Sequence, residues 1–253
     1  MPGSIDLHTH STASDGTLTP AELVSLAART GLEAIALTDH DTTAGLAEFE
    51  DACARGGIQG VPGIEISASW YRGSVHILGY FIRREEETLE KLLREVRGNR
   101  EQRNAEMLRR LRACGIEVGE EELRRVAREA VAGRPHIAAL LVEKEACQSV
   151  DEAFRRYLGD GRAAYVRRFL PLPGRVIAAI HAAGGVAVLA HPFGNPRPQP
   201  ASRIRKILRS LRRFSLDGIE AYYGDHSPEQ CRNCLALAEE FGLVVTGGSD
   251  FHG

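Results

Sequence analysis

The sequence predicts an α/β protein built on a largely parallel sheet, open or closed into a barrel, with a helical insertion. Three observations predict it. Seven short β-like apolar runs recur along the chain, and most are followed by an amphipathic helical pattern. Repeated strand-then-helix units favour parallel strands. Between Arg84 and Ala163 the pattern changes to charged helix formers with no clear strand-like run.

In chain order, strand Ser4–His8 leads to helix Pro20–Arg29, whose start is marked by Thr19 and Pro20. Strand Ala34–Thr38, helix Thr43–Arg55 and strands Gly63–Ser67 and Val75–Phe81 follow. Helical patterns then fill Glu85–Ala113, Glu120–Ala130, Pro135–Cys147 and Ser149–Leu158. The second α/β part has helix Leu172–His181, strand Val186–Ala190, a Pro-rich loop Pro192–Pro200 and helix Ala201–Phe214. It closes with strand Gly218–Ala221, helix Pro228–Phe241 behind Ser227, and strand Val244–Thr246. The expected division is 1–97 and 164–253 as two parts of one α/β domain, and 98–163 as the insertion.

At 253 residues, 43% hydrophobic and 26% charged, the chain has an ordinary globular composition. About three quarters of its surface can be buried at this size, so a core needs no disulfide. No apolar run approaches the ~18 residues of a membrane span. The N-terminus MPGSIDLHTH lacks a signal-peptide pattern, so a cytoplasmic location without membrane contact is expected. Nothing in the sequence marks an obligate protein partner. The odd count of five cysteines suggests reduced thiols, and Cys231-x-x-Cys234 lies in a helical pattern without the second pair a zinc ribbon needs. The net charge of −2 hides an asymmetry: residues 1–90 carry 14 acidic and 5 basic side chains, residues 155–213 one acidic and 13 basic. A basic half suits an anionic partner, phosphate above all, though it also suits a solvated helix face.

The strand ends decide the chemistry. His8 and His10 follow the first strand, with Asp15 just beyond; Asp39-His40-Asp41 ends the second. The third contains Glu65 and the fourth His76; His191 follows the fifth and Asp250 and His252 the last. In a parallel α/β sheet the C-terminal strand ends open onto one face, so ligands distant in sequence converge. Alternate residues of extended chain point the same way, which pairs His8 with His10 and Asp250 with His252. Imidazole and carboxylate together suit Zn²⁺, Mn²⁺ or Fe²⁺, and nine donors exceed the needs of one ion. A lone histidine at a strand end is usually a hydrogen-bonding residue; six of nine histidines there, mixed with acids, are not explained by packing. His136, His181 and His226 remain, and His181 reads as structural.

Asp6-Leu7-His8-Thr9-His10-Ser11 with Asp15-Gly16, Leu37–Thr42, Gly63-Ile64-Glu65-Ile66-Ser67, Val75–Gly79, Ala190-His191-Pro192 and Gly248–Gly253 together resemble the PHP (polymerase and histidinol phosphatase) family. The resemblance runs the length of the chain. It implies a distorted (β/α)7 barrel with three divalent ions, Mn²⁺ first among them, at the strand C-termini. It also implies a helical insertion that caps the substrate. The finer resemblance is to nucleoside 3′,5′-bisphosphate phosphatases, whose relatives act as 5′→3′ exoribonucleases; Gly133–Ala138, Tyr222-Tyr223 and His226-Ser227-Pro228 carry it. Carried over residue by residue, one ion falls to His8, His10, Glu65 and Asp250, a second to Glu65, His76 and His191, and a third to Asp15, His40 and His252. Similar proteins usually run some tens of residues past Ser249–His252, so the third set is expected to be the weakest.

The implied reaction is hydrolysis of a nucleotide phosphomonoester, and with it a phosphodiester at a short RNA 5′ end. Glu65, Asp250 and His191 are the expected catalytic groups at the ions; His226, or a water held there, is the expected proton donor to the leaving group. Asp39 and Asp41 are expected to orient histidine N–H groups. Arg134 and His136, together with His226, are expected to bind the substrate, arginine gripping the second phosphate through paired hydrogen bonds. Trp70 and Tyr71 are candidates to stack on a base, or else merely to cover the rim. Two other readings compete: histidinol-phosphate phosphatase, which shares the metal set, and a non-catalytic metal-binding module.

Overall fold

Seven strands follow one another round a single sheet in chain order: β1 (Ser4–Asp6), β2 (Leu32–Leu37), β3 (Gln59–Trp70), β4 (Gly73–Tyr80), β5 (Val186–Leu189), β6 (Gly218–Tyr223) and β7 (Val244–Gly248). The computed structural model describes residues 4–71, 73–127, 132–194 and 199–253. Leu7 N–H donates to Gly247 O at 3.1 Å and His10 N–H to Phe251 O at 2.9 Å, so the last strand returns to the first and nearly closes a barrel.

Nine α-helices are found among the described residues. Those of the barrel are α1 (Pro20–Arg29), α2 (Leu46–Gly56), the start of α3 (Glu87–Ala113), α7 (Pro173–Ala182), α8 (Ala201–Leu211) and α9 (Pro228–Phe241). Thr19 and Ser227 cap α1 and α9 through reciprocal boxes with Glu22 and Gln230, and a proline opens each helix. The strands alternate between two buried faces. Ile35, Leu37, Ile64 and Ile66 pack outward against the helices, while Ala36, Val61, Leu78, Tyr80, Val188 and Ala190 fill the interior. Burial on both faces explains why the strands read as nearly continuous apolar runs.

The largely parallel sheet is as expected; the placement of His76 at a strand end is corrected. The sheet is parallel except around β4, which pairs antiparallel with both β3 and β5. His76 therefore reaches the rim from the first half of a descending strand, opposite Ser67, and not from a strand end.

The chain divides into two compact units, 1–93 with 170–253, and 94–169. The second is wholly helical among its described residues, with the rest of α3, α4 (Glu120–Ala127), α5 (Arg134–Glu143), α6 (Val150–Ala153) and a π-helical turn at Phe154–Leu158. Met107, Leu108, Leu111, Ile137, Leu140 and Leu141 centre its separate core. Against the expected insertion 98–163, α3 runs unbroken across the N-terminal limit: Leu89 and Leu93 pack in the barrel, Met107 and Leu111 in the helical core. The end of the expected helix Glu120–Ala130 and residues 195–198 of the Pro-rich stretch lie outside the described residues. His181, read as structural, ties α7 to the start of β6 through Asp217 at 2.7 Å. Burial pushes the Cys53 and Cys234 thiols up to about 11 and about 12, so both stay protonated and inert.

Candidate metal centre

Interior positions that are apolar low in the barrel become metal-binding types at its rim. Along β3, Val61 faces inward, Gly63 passes close to Leu37 O and Gly79 O, and Glu65 follows on the same side. Asp41 N–H donates to Glu65 O and Glu65 N–H to Asp39 O, which sets His40 beside Glu65. Where the barrel closes, a Cβ on Gly248 would stand 2.3 Å from His8 Cβ; only glycine lets β7 come this near.

Glu65 is the centre. Its carboxylate is fully buried, and five histidines face it. His76 Nδ1 and His191 Nε2 lie 2.8 and 3.0 Å from Oε1. His40 Nδ1, His10 Nε2 and His8 Nε2 lie 2.9, 3.4 and 3.5 Å from Oε2. Asp250 Oδ1 adds contacts of 3.1 and 3.3 Å to His10 and His8. Burial alone would raise the Glu65 pKa, but His40, His76 and His8 hold it well below the usual carboxylate range. Burial disfavours charge on His40; Glu65, Asp15 and Asp41 outweigh it and raise that imidazole to about 9.

The donor set fits divalent ions. Despite these short separations, His8 Nε2, both ring nitrogens of His10, His40 Nδ1 and Glu65 Oε2 are buried without an aligned hydrogen bond. Buried polar atoms left in this way are rare, and here they converge. Three groups of donor atoms come within 4.8 Å of one another: His8, His10, Glu65 and Asp250; His10, Asp15, His40 and His252; and His40, Glu65 and His76. The first is the expected set unchanged. The second gains His10 beside the expected Asp15, His40 and His252. In the third His40 stands where His191 was expected, while His191 keeps its contact with the other oxygen of Glu65.

A residue absent from the sequence-based candidates supports this rim. Glu220, fully buried on β6, accepts from His8 Nδ1–H at 3.0 Å and from His191 N–H at 2.6 Å. The first bond fixes the His8 tautomer that presents Nε2 to the cluster. The second holds His191, whose φ of 24° is strained for a non-glycine residue. An acid within the apolar run Gly218–Ala221 was the available signal. Asp250 has φ 58° and is held likewise: its N–H donates to His8 O, and the Tyr223 hydroxyl donates to its Oδ2 at 3.1 Å.

Asp39 does not meet a histidine in the way expected. Its oxygens accept from Ser11 N–H and the Ser11 and Ser14 hydroxyls, anchoring the loop that carries Asp15. Asp41 accepts from Ser67 N–H at 3.4 Å and acts on His40 through charge. His226 stands one ring beyond His191, with Tyr223 between them. Its Nδ1–H donates to Ala221 O, leaving Nε2 buried and open, and burial lowers its pKa, so the ring is neutral at pH 7. It accepts a proton there before it can give one.

In the helical unit, the Arg134 guanidinium lies over Phe154 and Tyr165, 5.8 and 6.0 Å from their centroids. His136 Nδ1 accepts from Gly133 N–H and so caps its own helix. Arg103, unremarkable inside a charged helix, is buried with its Nε lacking a hydrogen bond. Burial, then the charges of Arg168, Arg100 and Arg134, bring its pKa down to about 10. Cations gathered at this cost suit an anion.

A family model described as PHP domain matches residues 6–154. The chain is 36% identical to a 5′-3′ exoribonuclease of Haemophilus influenzae over 253 residues, 100% of this chain and 91% of the relative. It is 36% identical to a 3′,5′-nucleoside bisphosphate phosphatase of Chromobacterium violaceum over 250 residues, covering 98% and 87%. A crystal structure from Bifidobacterium adolescentis, described as that of a metal-dependent phosphoesterase, superposes with a TM-score of 0.84 at 33% identity, covering 100% of this chain and 89% of the other.

Two outcomes follow from the geometry. Glu220→Gln puts an amide N–H against one of two donors and lowers Mn²⁺ affinity ten- to hundredfold, about the usual cost of losing such a support; metal content after dialysis, with an unchanged far-UV spectrum, measures it. Because His40 is held at about 9, metal loading expels its proton. Affinity therefore rises with pH from 6.5 to about 9, and titration calorimetry in buffers of different ionisation enthalpy records proton release at pH 7.5.

Proposed function

This chain belongs to the PHP domain family, and we propose that, as a metal-dependent phosphoesterase, it removes the 3′-phosphate from nucleoside 3′,5′-bisphosphates, giving the 5′-monophosphate and phosphate. The observation that carries the reading is Glu65 buried among five histidines, with donor nitrogens that hydrogen bonding leaves unused. The Chromobacterium relative supports the substrate.

His8, His10, Glu65 and Asp250 would hold one divalent ion, Glu65, His76 and His191 a second, and Asp15, His40 and His252 a third, with Mn²⁺ ahead of Zn²⁺ or Fe²⁺. Such ions lower the pKa of water from about 16 to about 7 and offset phosphate charge. The protein's own part is placement and proton handling. Glu65 spans the donor sets with both oxygens, and Glu220 keeps His8 Nε2 and the His191 backbone in position. His226, whose buried Nε2 makes no hydrogen bond, would take the proton lost by the attacking water and pass it to the leaving oxygen. Arg134 and His136 take the substrate's second phosphate, with Arg103 adding charge to the same cluster.

A second activity, 5′→3′ trimming of short RNA, is favoured by the Haemophilus relative and by the basic stretch 155–213. No described helix is long and apolar enough to cross a membrane, and the five free cysteines suit the reducing cytoplasm.

With Mn²⁺ added, adenosine 3′,5′-bisphosphate is turned over faster than histidinol phosphate, and a 5′-phosphorylated oligonucleotide measures the second activity; preference for histidinol phosphate overturns the assignment. Arg134→Ala raises KM for the bisphosphate roughly ten- to hundredfold, the worth of hydrogen bonds to a charged group, and leaves KM for a nucleoside 3′-monophosphate nearly unchanged; equal losses remove Arg134 from the clamp.

A further inference from the structure

Helix α8 carries its charge on one side. With the 3₁₀ turn Arg212–Phe214 that closes it, it holds Arg203, Arg205, Lys206, Arg209, Arg212 and Arg213 and no acid. No acidic residue occurs in the sequence between Asp160 and Asp217. Helical periodicity sorts the two faces: Ile204, Ile207, Leu208 and Leu211 are buried in the barrel core, and all six cations are exposed. Two of the six are engaged. Arg205 Nε pairs with Glu240 of α9 at 2.9 Å, and Arg212 Nη1 donates to Leu216 O at 3.0 Å. Arg203, Lys206, Arg209 and Arg213 meet no partner among the described residues.

Lys206, Arg209 and Arg213 recur at i, i+3 and i+7, which is one stripe of the helix, and Arg203 to Arg213 spans about 15 Å of its axis. Like charges at this spacing cost stability, and no described contact offsets the cost. Phe214 ends the stripe. A Cβ on Gly174 would stand 2.7 Å from its Cδ1, so glycine lets the ring lie against α7, while 48% of the residue stays in water. Trp70, by contrast, packs half-buried on the barrel core. A held aromatic ring thus stands at the end of a row of unpaired cations.

Resting on the RNA activity read above, we propose that the outer face of α8 is a docking surface for single-stranded RNA, gripped by its backbone phosphates outside the metal centre. Charge complementarity selects a polyanion. Three of the four unpaired cations are arginine, whose planar fork matches phosphate oxygens. Phe214 adds a ring face for an unpaired base, and cations beside an aromatic are the usual construction of a surface for single strands. A membrane fits less well: a helix bound to lipid buries its apolar face in the bilayer, and that of α8 is already buried in the barrel. Phosphate contacts carry no sequence information, so the surface binds any sequence.

A short circular RNA has no 5′ end to trim, so it reports the surface without turnover. Its binding to the full chain with Mn²⁺ is followed by fluorescence anisotropy as salt is raised. The triple variant Lys206→Gln, Arg209→Gln, Arg213→Gln is expected to bind about tenfold more weakly or worse at low salt. Its slope of log K against log salt falls by about 2, since each phosphate contact to a single strand contributes about 0.7. A charge-matched triple on other helices, Arg29→Gln, Arg55→Gln, Lys91→Gln, is expected to keep affinity and slope; an equal loss there overturns the surface. Phe214→Ala weakens binding about tenfold with the slope unchanged, as loss of one stacked base does. Unchanged affinity in both the α8 triple and Phe214→Ala overturns the proposal, as does binding of phosphatidylglycerol vesicles in place of RNA. Circular RNA bound as expected by a chain that trims no linear 5′-phosphorylated RNA keeps the surface and removes the trimming activity. Trimming without binding of circular RNA does the reverse.

Discussion

A carboxylate with no access to water is the constraint around which this molecule is arranged. Burying an ionised Glu65 without compensation costs several kcal/mol. Compensation comes from histidines that leave the chain at four places: after β1, after β2, midway along β4 and after β5. Sheet order, the reversed direction of β4 and the return of β7 to β1 are the means by which positive partners from such distant segments reach two oxygen atoms. Whether those partners are imidazolium groups or ions, the barrel interior tolerates the charge only when they are present.

Holding the partners in place has its own cost, met close by. His191 and Asp250 occupy backbone conformations that non-glycine residues avoid, at about 1–3 kcal/mol each. Each is fastened by a polar group that also touches the cluster: buried Glu220 bonds both His191 and His8, and half-buried Tyr223 bonds Asp250 and lies against the His191 ring. Strain and buried polar bonds thus sit within one small volume, where exact side-chain direction counts most.

Much of this was legible in the sequence, for identifiable reasons. Strands buried on both faces give apolar runs that stand out, and proline behind Thr19 or Ser227 marks a helix start to the residue. The histidines and acids expected at the rim stood out because each interrupts or follows an apolar run. The direction of β4 was hidden: the sequence between Trp70 and Gly73 lacks an Asn-Gly or Asp-Gly pair, and residue periodicity is the same for either direction. The limit of the helical unit was hidden because α3 runs on through Gly98 and past the point where its packing partners change. Glu220 and Arg103 share a different reason. Their importance lies in what surrounds them, and one charged residue in a strand or a charged helix does not announce its burial.

Closure of the barrel by its first and last strands also sets an order in time. His8 and His10 leave the ribosome well before Asp250 and His252, and the two segments meet across the β1–β7 seam. Such long-range pairing closes late in folding. A nascent chain therefore carries an unfinished cluster, its donor groups still apart, until β7 and the residues that follow it have docked on β1.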